Sequence, residues 1–185
     1  MTTLYDTEEF ETANTYQGHD LGAFWTESVT AFRVWAPTAR EVTLLLYREG
    51  QGGEPLTRQQ LHPGSNGTWV GRRMGNLKGL YYTFLVNVDG QIREACDPYA
   101  RAVGVNGQRA MVIDLAETDP AGWAEDHSPF QGKGITDAVL YELHIRDVSM
   151  HRSSRIRNKG KFLGLTETGT HTRSGHPTGL RHIRE

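Results

Sequence analysis

Two carboxylates, Glu142 and Asp147, lie in an apolar stretch of the chain, residues 137–147 (DAVLYELHIRD). A pair of carboxyl groups can act as general acid and base when both reach the same bond of a substrate. Residues 138–146 are predicted to form a β-strand, in which positions five residues apart point to opposite faces. These two carboxylates are therefore not expected to form a catalytic pair.

Histidine and cysteine give no clear site either. His144 lies inside the predicted strand with no second ligand beside it, so a structural role is favoured. Three further histidines, His171, His176 and His182, do not have a zinc-binding spacing. The single cysteine, Cys96, excludes an internal disulfide and a cysteine-built zinc site. The sequence predicts no metal site and no cofactor.

Aromatic side chains offer another chemistry, because their faces stack on sugar rings while nearby polar groups bind the hydroxyls. Trp69 follows a glycine turn, and both a core and a surface position are open for it. Tyr81 is predicted to lie on the strand face opposite Tyr82 and Phe84, which are expected in the core. Trp35 is also expected in the core. Trp69 and Tyr81 are therefore the carbohydrate-binding candidates.

The elements that would position these rings are short strands. They are predicted at residues 30–36, 41–48, 56–62, 68–72, 80–88, 91–95 and 110–115. Asp89-Gly90 between two of them is a strong signal for a two-residue hairpin turn. Short strands with a turn about every ten residues predict a mainly β fold, an immunoglobulin-like antiparallel β-sandwich.

The C-terminal third has a different pattern. Residues 138–146 are apolar on both faces at their start, which is typical of a strand in a parallel sheet covered on both sides. Residues 178–185 (TGLRHIRE) resemble the start of a helix. A strand and a helix are half of a β–α unit, so the sequence is expected to stop inside a second domain.

Charge and composition limit the partners. The 185 residues are 37% hydrophobic and 23% charged, and no apolar run approaches the ~20 residues that span a bilayer. Residues 1–130 carry 10 Lys/Arg and 17 Asp/Glu, whereas residues 131–185 carry 10 and 5. The basic end lacks interleaved aromatics or a nucleic-acid motif. We expect no membrane or nucleic-acid partner and, without a signal-peptide pattern, a cytoplasmic location.

Several motifs together resemble one enzyme family. They are YQGHDLG (16–22), FRVWAP (32–37), DPYARAVGVNG (97–107), MVIDL (111–115), DPAGW (119–123), DAVLYELHIRD (137–147) and NKGKFLGLTE (158–167). This set resembles the N-terminal part of type I pullulanase, a starch-debranching enzyme of glycoside hydrolase family 13.

The resemblance implies a division of the chain into four parts. These are an N-terminal extension (1–24), a β-sandwich of carbohydrate-binding module family 48 (25–116), a linker (117–136) and the truncated start of a (β/α)8 catalytic barrel (137–185). In the last part, residues 138–146 would be the first barrel strand and residues 178–185 the start of the first barrel helix.

The resemblance also implies an activity, hydrolysis of α-1,6 branch points in pullulan, amylopectin and glycogen. The catalytic carboxylates of the family come from the fourth, fifth and seventh barrel strands, so no catalytic residue is assigned and the chain alone is expected to be inactive. The implied partners are α-glucan, bound through the full-length enzyme, and the chain's own barrel. Residues from about 135 onward are expected to be loosely held or to contact another molecule.

The alternative is a stand-alone module that binds α-glucan or packs on a barrel without catalysis. Glycogen-sensing relatives bind glucose with tryptophans and a lysine. The resemblance places Thr83 at the lysine position, and Ile92 and Arg93 stand where a tryptophan would be expected, which disfavours autonomous binding.

Overall fold

The computed structural model describes residues 4–185, so residues 1–3 of the predicted extension lie outside the described residues. The chain divides into two compact units, Met1–Trp123 and Ala124–Glu185. The two units are described separately below.

The first unit is a β-sandwich of two antiparallel sheets. The strands are β1 (Gly22–Trp25), β2 (Val29–Trp35), β3 (Glu41–Tyr47), β4 (Thr57–Gln60), β5 (His62–Pro63), β6 (Thr68–Met74), β7 (Tyr81–Val88), β8 (Gln91–Ala95) and β9 (Ala110–Met111). The first sheet has the order β1-β2-β6-β5. The second has the order β4-β3-β7-β8, with β9 paired to β7. The predicted sandwich is confirmed. The single strand predicted at 56–62 is wrong in its extent, because this segment forms β4 at the edge of the second sheet and then β5, which begins at His62, at the edge of the first sheet.

Strand alternation builds the core between the two sheets. Phe32 of β2 is buried, as are Leu44 of β3 and Tyr82 and Phe84 of β7. The ring of Tyr82 meets Phe32 edge to face at 5.1 Å between centroids and Phe84 at 5.7 Å. Burying one such side chain contributes about 2 kcal/mol, so this inward row stabilises the sandwich.

The hairpin between β7 and β8 is confirmed in detail. Asp89 and Gly90 both have positive φ, 51° and 81°, as a type I′ turn requires. The register pairs Val88 with Gln91 across the turn. The dipeptide thus fixes which side chains of the two strands face the core.

The N-terminal segment contains elements that the strand pattern did not predict. Helix α1 (Glu8–Asn14) begins after Thr7, whose hydroxyl accepts a hydrogen bond from the Phe10 amide at 3.2 Å. Strand β1 then starts at Gly22, before the predicted domain start at residue 25. Gly22 has a φ of +104°, and a Cβ there would lie 2.9 Å from the carbonyl oxygen of Tyr99. Only glycine allows that approach without strain.

The second unit contains two short α-helices, α2 (Ile145–Met150) and α3 (Leu180–Arg184), and 3-10 helical turns at Ile135–Asp137, Arg152–Ser154 and Phe162–Leu165. The predicted helix start at 178–185 is present. The strand predicted at 138–146 is absent: residues 138–144 have no regular structure, and Val139 and Leu140 are more than 90% exposed. A parallel strand forms only beside neighbouring strands, and no described segment pairs with these residues.

Polar contacts hold the loop between α2 and α3. The Lys159 ammonium donates to the carbonyl oxygens of Ser149 at 2.9 Å and His151 at 3.0 Å. The Glu167 carboxylate accepts from the amides of Arg157 and Asn158 at 2.7–3.0 Å. These amide bonds lower the pKa of Glu167 below its usual value. The NKGKFLGLTE motif is thus held by hydrogen bonds to its own backbone and to residues just before it in the chain.

Candidate functional site

The outer face of the second sheet is closed by Arg109. Its guanidinium lies 3.4 Å from the ring centroid of Tyr47, a residue of β3 that points away from the core. The same guanidinium donates to the carbonyl oxygens of Glu49 and Gly52, each at 2.7 Å. Both Arg109 and Tyr47 are buried. An arginine held on an aromatic face and by two carbonyls leaves that ring unavailable to a ligand.

A second set of bonds satisfies the hydroxyls beneath this arginine. The Glu94 carboxylate accepts from Tyr47 Oη at 2.7 Å and from Thr83 Oγ1 at 2.6 Å. Burial, followed by the bond to Glu94, raises the pKa of the Tyr47 phenol. Thr83, which the resemblance places at a lysine position of glycogen-sensing relatives, is 1% exposed. This face therefore presents no free group at that position.

Tyr81, one of the two predicted carbohydrate-binding residues, lies on this closed face, as alternation predicted. Its Cε1 atom is 3.1 Å from the place where Gly50 would carry a Cβ and 2.9 Å from that of Gly104. The ring is thus half-buried against the backbone of two glycines. Sugar binding by Tyr81 stays a prediction, with only part of the ring accessible.

Trp69, the other predicted binding residue, lies in the core. Its side chain belongs to the central hydrophobic cluster and is 8% exposed. Its indole Nε1 donates to the carbonyl oxygen of Ala36 at 3.1 Å. The register pairs it with Val34, which faces the core from β2. The sequence left both a core and a surface position open for Trp69. The structure places it in the core, where the ring face that a sugar would need is covered.

The outer face of the first sheet is open. Alternation along β2 buries Phe32 and Val34 and directs Arg33 and Trp35 outward. Arg33 donates to Asp20 at 2.8 Å, and its guanidinium lies 5.1 Å from the ring centroid of Tyr16. Trp35 is 38% exposed, in contrast to the core position expected from the sequence. Its Nε1 donates to the carbonyl oxygen of Asn14 at 2.7 Å.

A groove of about 460 Å³ lies on this open face. We call it the aromatic groove, and it is lined by Tyr5, Phe10, Glu11, Asn14, Thr15, Tyr16, Leu21, Trp35 and Tyr99. The Tyr5 and Phe10 rings meet edge to face at 5.5 Å between centroids. The groove thus combines five aromatic rings with a few polar groups at its rim.

A second depression, of about 560 Å³, lies on the same sheet face. We call it the Phe24 groove, and it is lined by Asp20, Phe24, Ala31, Phe32, Arg33, Gln59, His62, Val70, Gly71 and Arg72. The guanidinium of Arg101 lies 4.6 Å from the Phe24 ring centroid. Tyr16 lines the aromatic groove, and its partners Asp20 and Arg33 line the Phe24 groove. These three interacting residues therefore lie where the two grooves meet.

Asp20 and Arg33 on this open face are paired with each other. The Tyr16 hydroxyl donates to Asp20, which also pairs with Arg33. The Tyr16 hydrogen bond is the main cause that lowers the pKa of Asp20, and the bond and charge of Arg33 act in the same direction. Because Asp20 and Arg33 compensate each other, this pair does not require a charged ligand.

One buried carboxylate anchors the loop that follows β8. Asp97 is 3% exposed and accepts from Tyr82 Oη at 2.7 Å and from the Tyr99 amide at 2.9 Å. Burial raises the pKa of Asp97 despite these two bonds. From this anchor the chain continues with Tyr99 on the aromatic groove and with Gly104 and Arg109 on the closed face.

The other sequence candidates are not brought together. Glu142 and Asp147 are both exposed, and Asp147 lies 3.7 Å from His144. Within residues 4–185, no group of three or more His, Cys, Asp or Glu is arranged to hold a metal ion. Burial raises the pKa of the Cys96 thiol, which disfavours a reactive thiolate. None of the helices in this range is long and apolar enough to cross a bilayer.

Sequence reasoning therefore missed the aromatic groove. Strand alternation could have found part of it, since Trp35 is odd-numbered in a strand whose core residues are Phe32 and Val34. The contribution of Tyr99 and Phe10 could not be found in this way. Their positions depend on how a loop and a helix pack on the sheet.

Comparison with known families identifies the sandwich. Residues 20–100 match the model of carbohydrate-binding module 48 (isoamylase N-terminal domain). A pullulanase of Bacillus subtilis is 36% identical over 170 residues, which cover 92% of this chain and 23% of that enzyme. A pullulanase of Klebsiella aerogenes is 32% identical, over 88% of this chain and 16% of that enzyme. The chain thus spans less than a quarter of the length of these relatives.

Solved structures agree. The pullulanase of Paenibacillus barengoltzii, in complex with maltohexaose and alpha-cyclodextrin, is 46% identical over 96% of this chain and 27% of its own, with a TM-score of 0.89. The pullulanase of Bacillus acidopullulyticus is 42% identical over 93% of this chain and 21% of its own, with a TM-score of 0.85. The similarity therefore extends beyond the sandwich into the second unit.

Proposed function

The chain belongs to the pullulanase family, and we propose that it is the carbohydrate-binding-module part of an enzyme that hydrolyses α-1,6 branch points in pullulan, amylopectin or glycogen. The observation that carries this proposal is the similarity to solved pullulanases over 96% of the chain at 46% identity. Since the chain spans only 27% of that relative, the activity belongs to the longer enzyme.

We propose that the 185 residues alone do not hydrolyse glucan. Retaining glycoside hydrolysis, the chemistry of family 13, needs two carboxyl groups about 5–5.5 Å apart on either side of the scissile bond. Glu142 and Asp147, the two carboxylates considered from the sequence, are exposed, and Asp147 lies beside His144 instead. In (β/α)8 barrels the reacting groups come from the ends of several strands, which a single β–α segment does not supply.

The partners of this proposed enzyme are α-glucan and a catalytic barrel. The pullulanases of P. barengoltzii and of Anoxybacillus sp. LM18-11 were crystallised with maltotriose, a short α-glucan. Val139 and Leu140 of this chain are 91% and 94% exposed, and neighbouring barrel strands would cover them. We propose that residues 138–146 become a strand only in that setting.

A chimera tests the proposed activity. Residues 1–185 of this protein would replace the matching segment of the P. barengoltzii pullulanase, and release of reducing sugar from pullulan would be measured. We expect the chimera to be active and the 185-residue chain alone to release no more sugar than buffer. The control is the same relative with the segment deleted. An inactive but folded chimera, or activity in the isolated chain, would contradict the proposal.

A second function, a module that binds α-glucan by itself, is favoured by one observation. On the closed face of the second sheet, Thr83 is buried and offers no sugar-binding atom. The open, outer face of the first sheet presents exposed aromatic rings. Retardation of the chain in a native gel containing amylopectin, compared with a gel without polysaccharide, tests this function.

A further inference from the structure

We propose that the aromatic groove on the outer face of the first sheet binds a neutral α-glucan segment, with the Trp35 ring as its main stacking surface. This inference rests on the proposed function, since it takes α-glucan as the substrate class. It goes further by assigning binding to a face different from that of the predicted residue Tyr81.

The rings of the groove suit a sugar. Pyranose rings have apolar C–H faces and polar edges, so their sites combine aromatic planes with hydrogen-bonding groups. Trp35 is held in place by its Nε1 bond to the Asn14 carbonyl and by its strand, yet 38% of the residue remains exposed. Tyr99 is similarly fixed, because its amide donates to the buried Asp97. Rings that are already ordered lose little entropy when a ligand stacks on them.

The polar rim agrees with a sugar as the ligand. Glu11 and Thr15 line the groove and offer hydroxyl-binding atoms. Arg33 is engaged by Asp20 and lies over Tyr16, so it is not a free cation for a phosphate or a carboxylate. Helix α1 adds Glu8, Glu9 and Glu11 in its first turn, which disfavours an anionic ligand. A neutral ligand with apolar faces and many hydroxyls fits these features best.

The size of the groove also agrees. Its volume of about 460 Å³ is within the usual range of small-ligand sites, about 300–1,000 Å³. The Phe24 groove lies next to it on the same face, on the other side of Tyr16, Asp20 and Arg33, and its lining includes apolar side chains. A chain of several glucose units therefore has room on this face, whereas Tyr81 on the closed face is half-buried.

The experiment measures binding of maltohexaose to the 185-residue chain by isothermal titration calorimetry, with cellohexaose as the β-linked comparison. We expect maltohexaose to bind and cellohexaose to bind at least about tenfold more weakly. Trp35→Ala should weaken maltohexaose binding about tenfold, as expected for the loss of one stacked ring. Trp35→Phe, which keeps an aromatic face, should recover part of the affinity.

The matched control is Trp123→Ala, which removes a tryptophan that is 56% exposed and does not line either groove. It should leave the affinity within twofold. Tyr5→Ala gives a second readout if Trp35→Ala unfolds, because Tyr5 is 57% exposed in the groove and its loss should not unfold the sheet. Folding of each variant is checked by circular dichroism and its thermal midpoint.

Three results would overturn the inference. They are no binding of maltohexaose by the folded chain, equal affinities of wild type and folded Trp35→Ala and Tyr5→Ala variants, or loss of binding in Tyr81→Ala alone. These results are separable from failure of the proposed function. An active chimera together with a chain that binds no glucan rejects only the groove, whereas an inactive folded chimera rejects the enzymatic role.

Discussion

The two outer faces of the sandwich obey the same strand alternation but have different surroundings. On the second sheet, the outward residues Tyr47 and Thr83 are buried and donate to Glu94, and Arg109 covers the Tyr47 ring. On the first sheet, the outward residue Trp35 stays exposed. Alternation therefore decides which way a side chain points, but the loop that follows β8 decides whether that direction leads to solvent.

Removing the arginine that closes the second sheet is the largest expected effect. Arg109→Ala deletes the contact with Tyr47 and both bonds to the carbonyls of Glu49 and Gly52, so it should lower the free energy of unfolding by about 3 kcal/mol. Urea unfolding followed by circular dichroism measures it. The control is Arg48→Ala, an exposed neighbour of Tyr47, which should change stability by less than about 0.5 kcal/mol. Equal effects would mean that Arg109 does not close this face.

Adding a methyl group at Gly104, in the loop that follows β8, tests whether this loop packs tightly on the outer face of the second sheet. The Cβ of Gly104→Ala would lie 2.9 Å from both the Gly50 Cα and the Tyr81 ring, so we expect a loss of about 2 kcal/mol. Gly134→Ala is the control, because its Cβ would meet nothing closer than 3.5 Å. The measurement is again urea unfolding. A loss for Gly104→Ala no greater than that of the control would show that the loop moves away easily.

The sandwich could be predicted from the sequence because turns and strand alternation depend on residues that are close together in the chain. The Asp89-Gly90 turn and the alternation of Tyr82 and Phe84 fix a hairpin and its core side without knowledge of the rest. The helix over Glu8–Asn14 was missed because it is two turns long and has no buried residue, so it carries no hydrophobic period.

The site could be predicted only in part, because exposure is not a local property. Trp69 and Trp35 both lie in short strands of the first sheet, yet the first is in the core and the second at the surface. Tyr81 was placed on the correct side of its strand, but its cover comes from Gly50 and Gly104. The strand predicted at 138–146 was wrong for this structure for a related reason, since no described segment pairs with these residues.

The buried carboxylate that anchors the loop after β8 should show an unusual pH dependence. The pKa of Asp97 is raised in the folded state by burial, so its contribution to stability is complete below its unfolded pKa of about 3.9 and is lost as pH rises through the folded value. The stability of wild type minus that of Asp97→Asn should therefore decrease as pH rises from about 3.5 to 7. Urea unfolding at several pH values measures the slope, and a difference that increases with pH would contradict the prediction.

The ion pair on the open face should show the smallest effect, with the opposite slope. The pKa of Asp20 is lowered by the Tyr16 hydroxyl and by Arg33, so its contribution is present above about pH 4 and is lost as pH falls through the depressed value. Because the Asp20 side chain is 50% exposed, Asp20→Asn should cost only about 0.5 kcal/mol at pH 7, and less in 1 M salt. Asp89→Asn, which breaks the more exposed pair with Arg40, is the control and should cost even less. If Asp20→Asn instead cost as much as Arg109→Ala, with no effect of salt, the two faces would not differ in the way that their burial indicates.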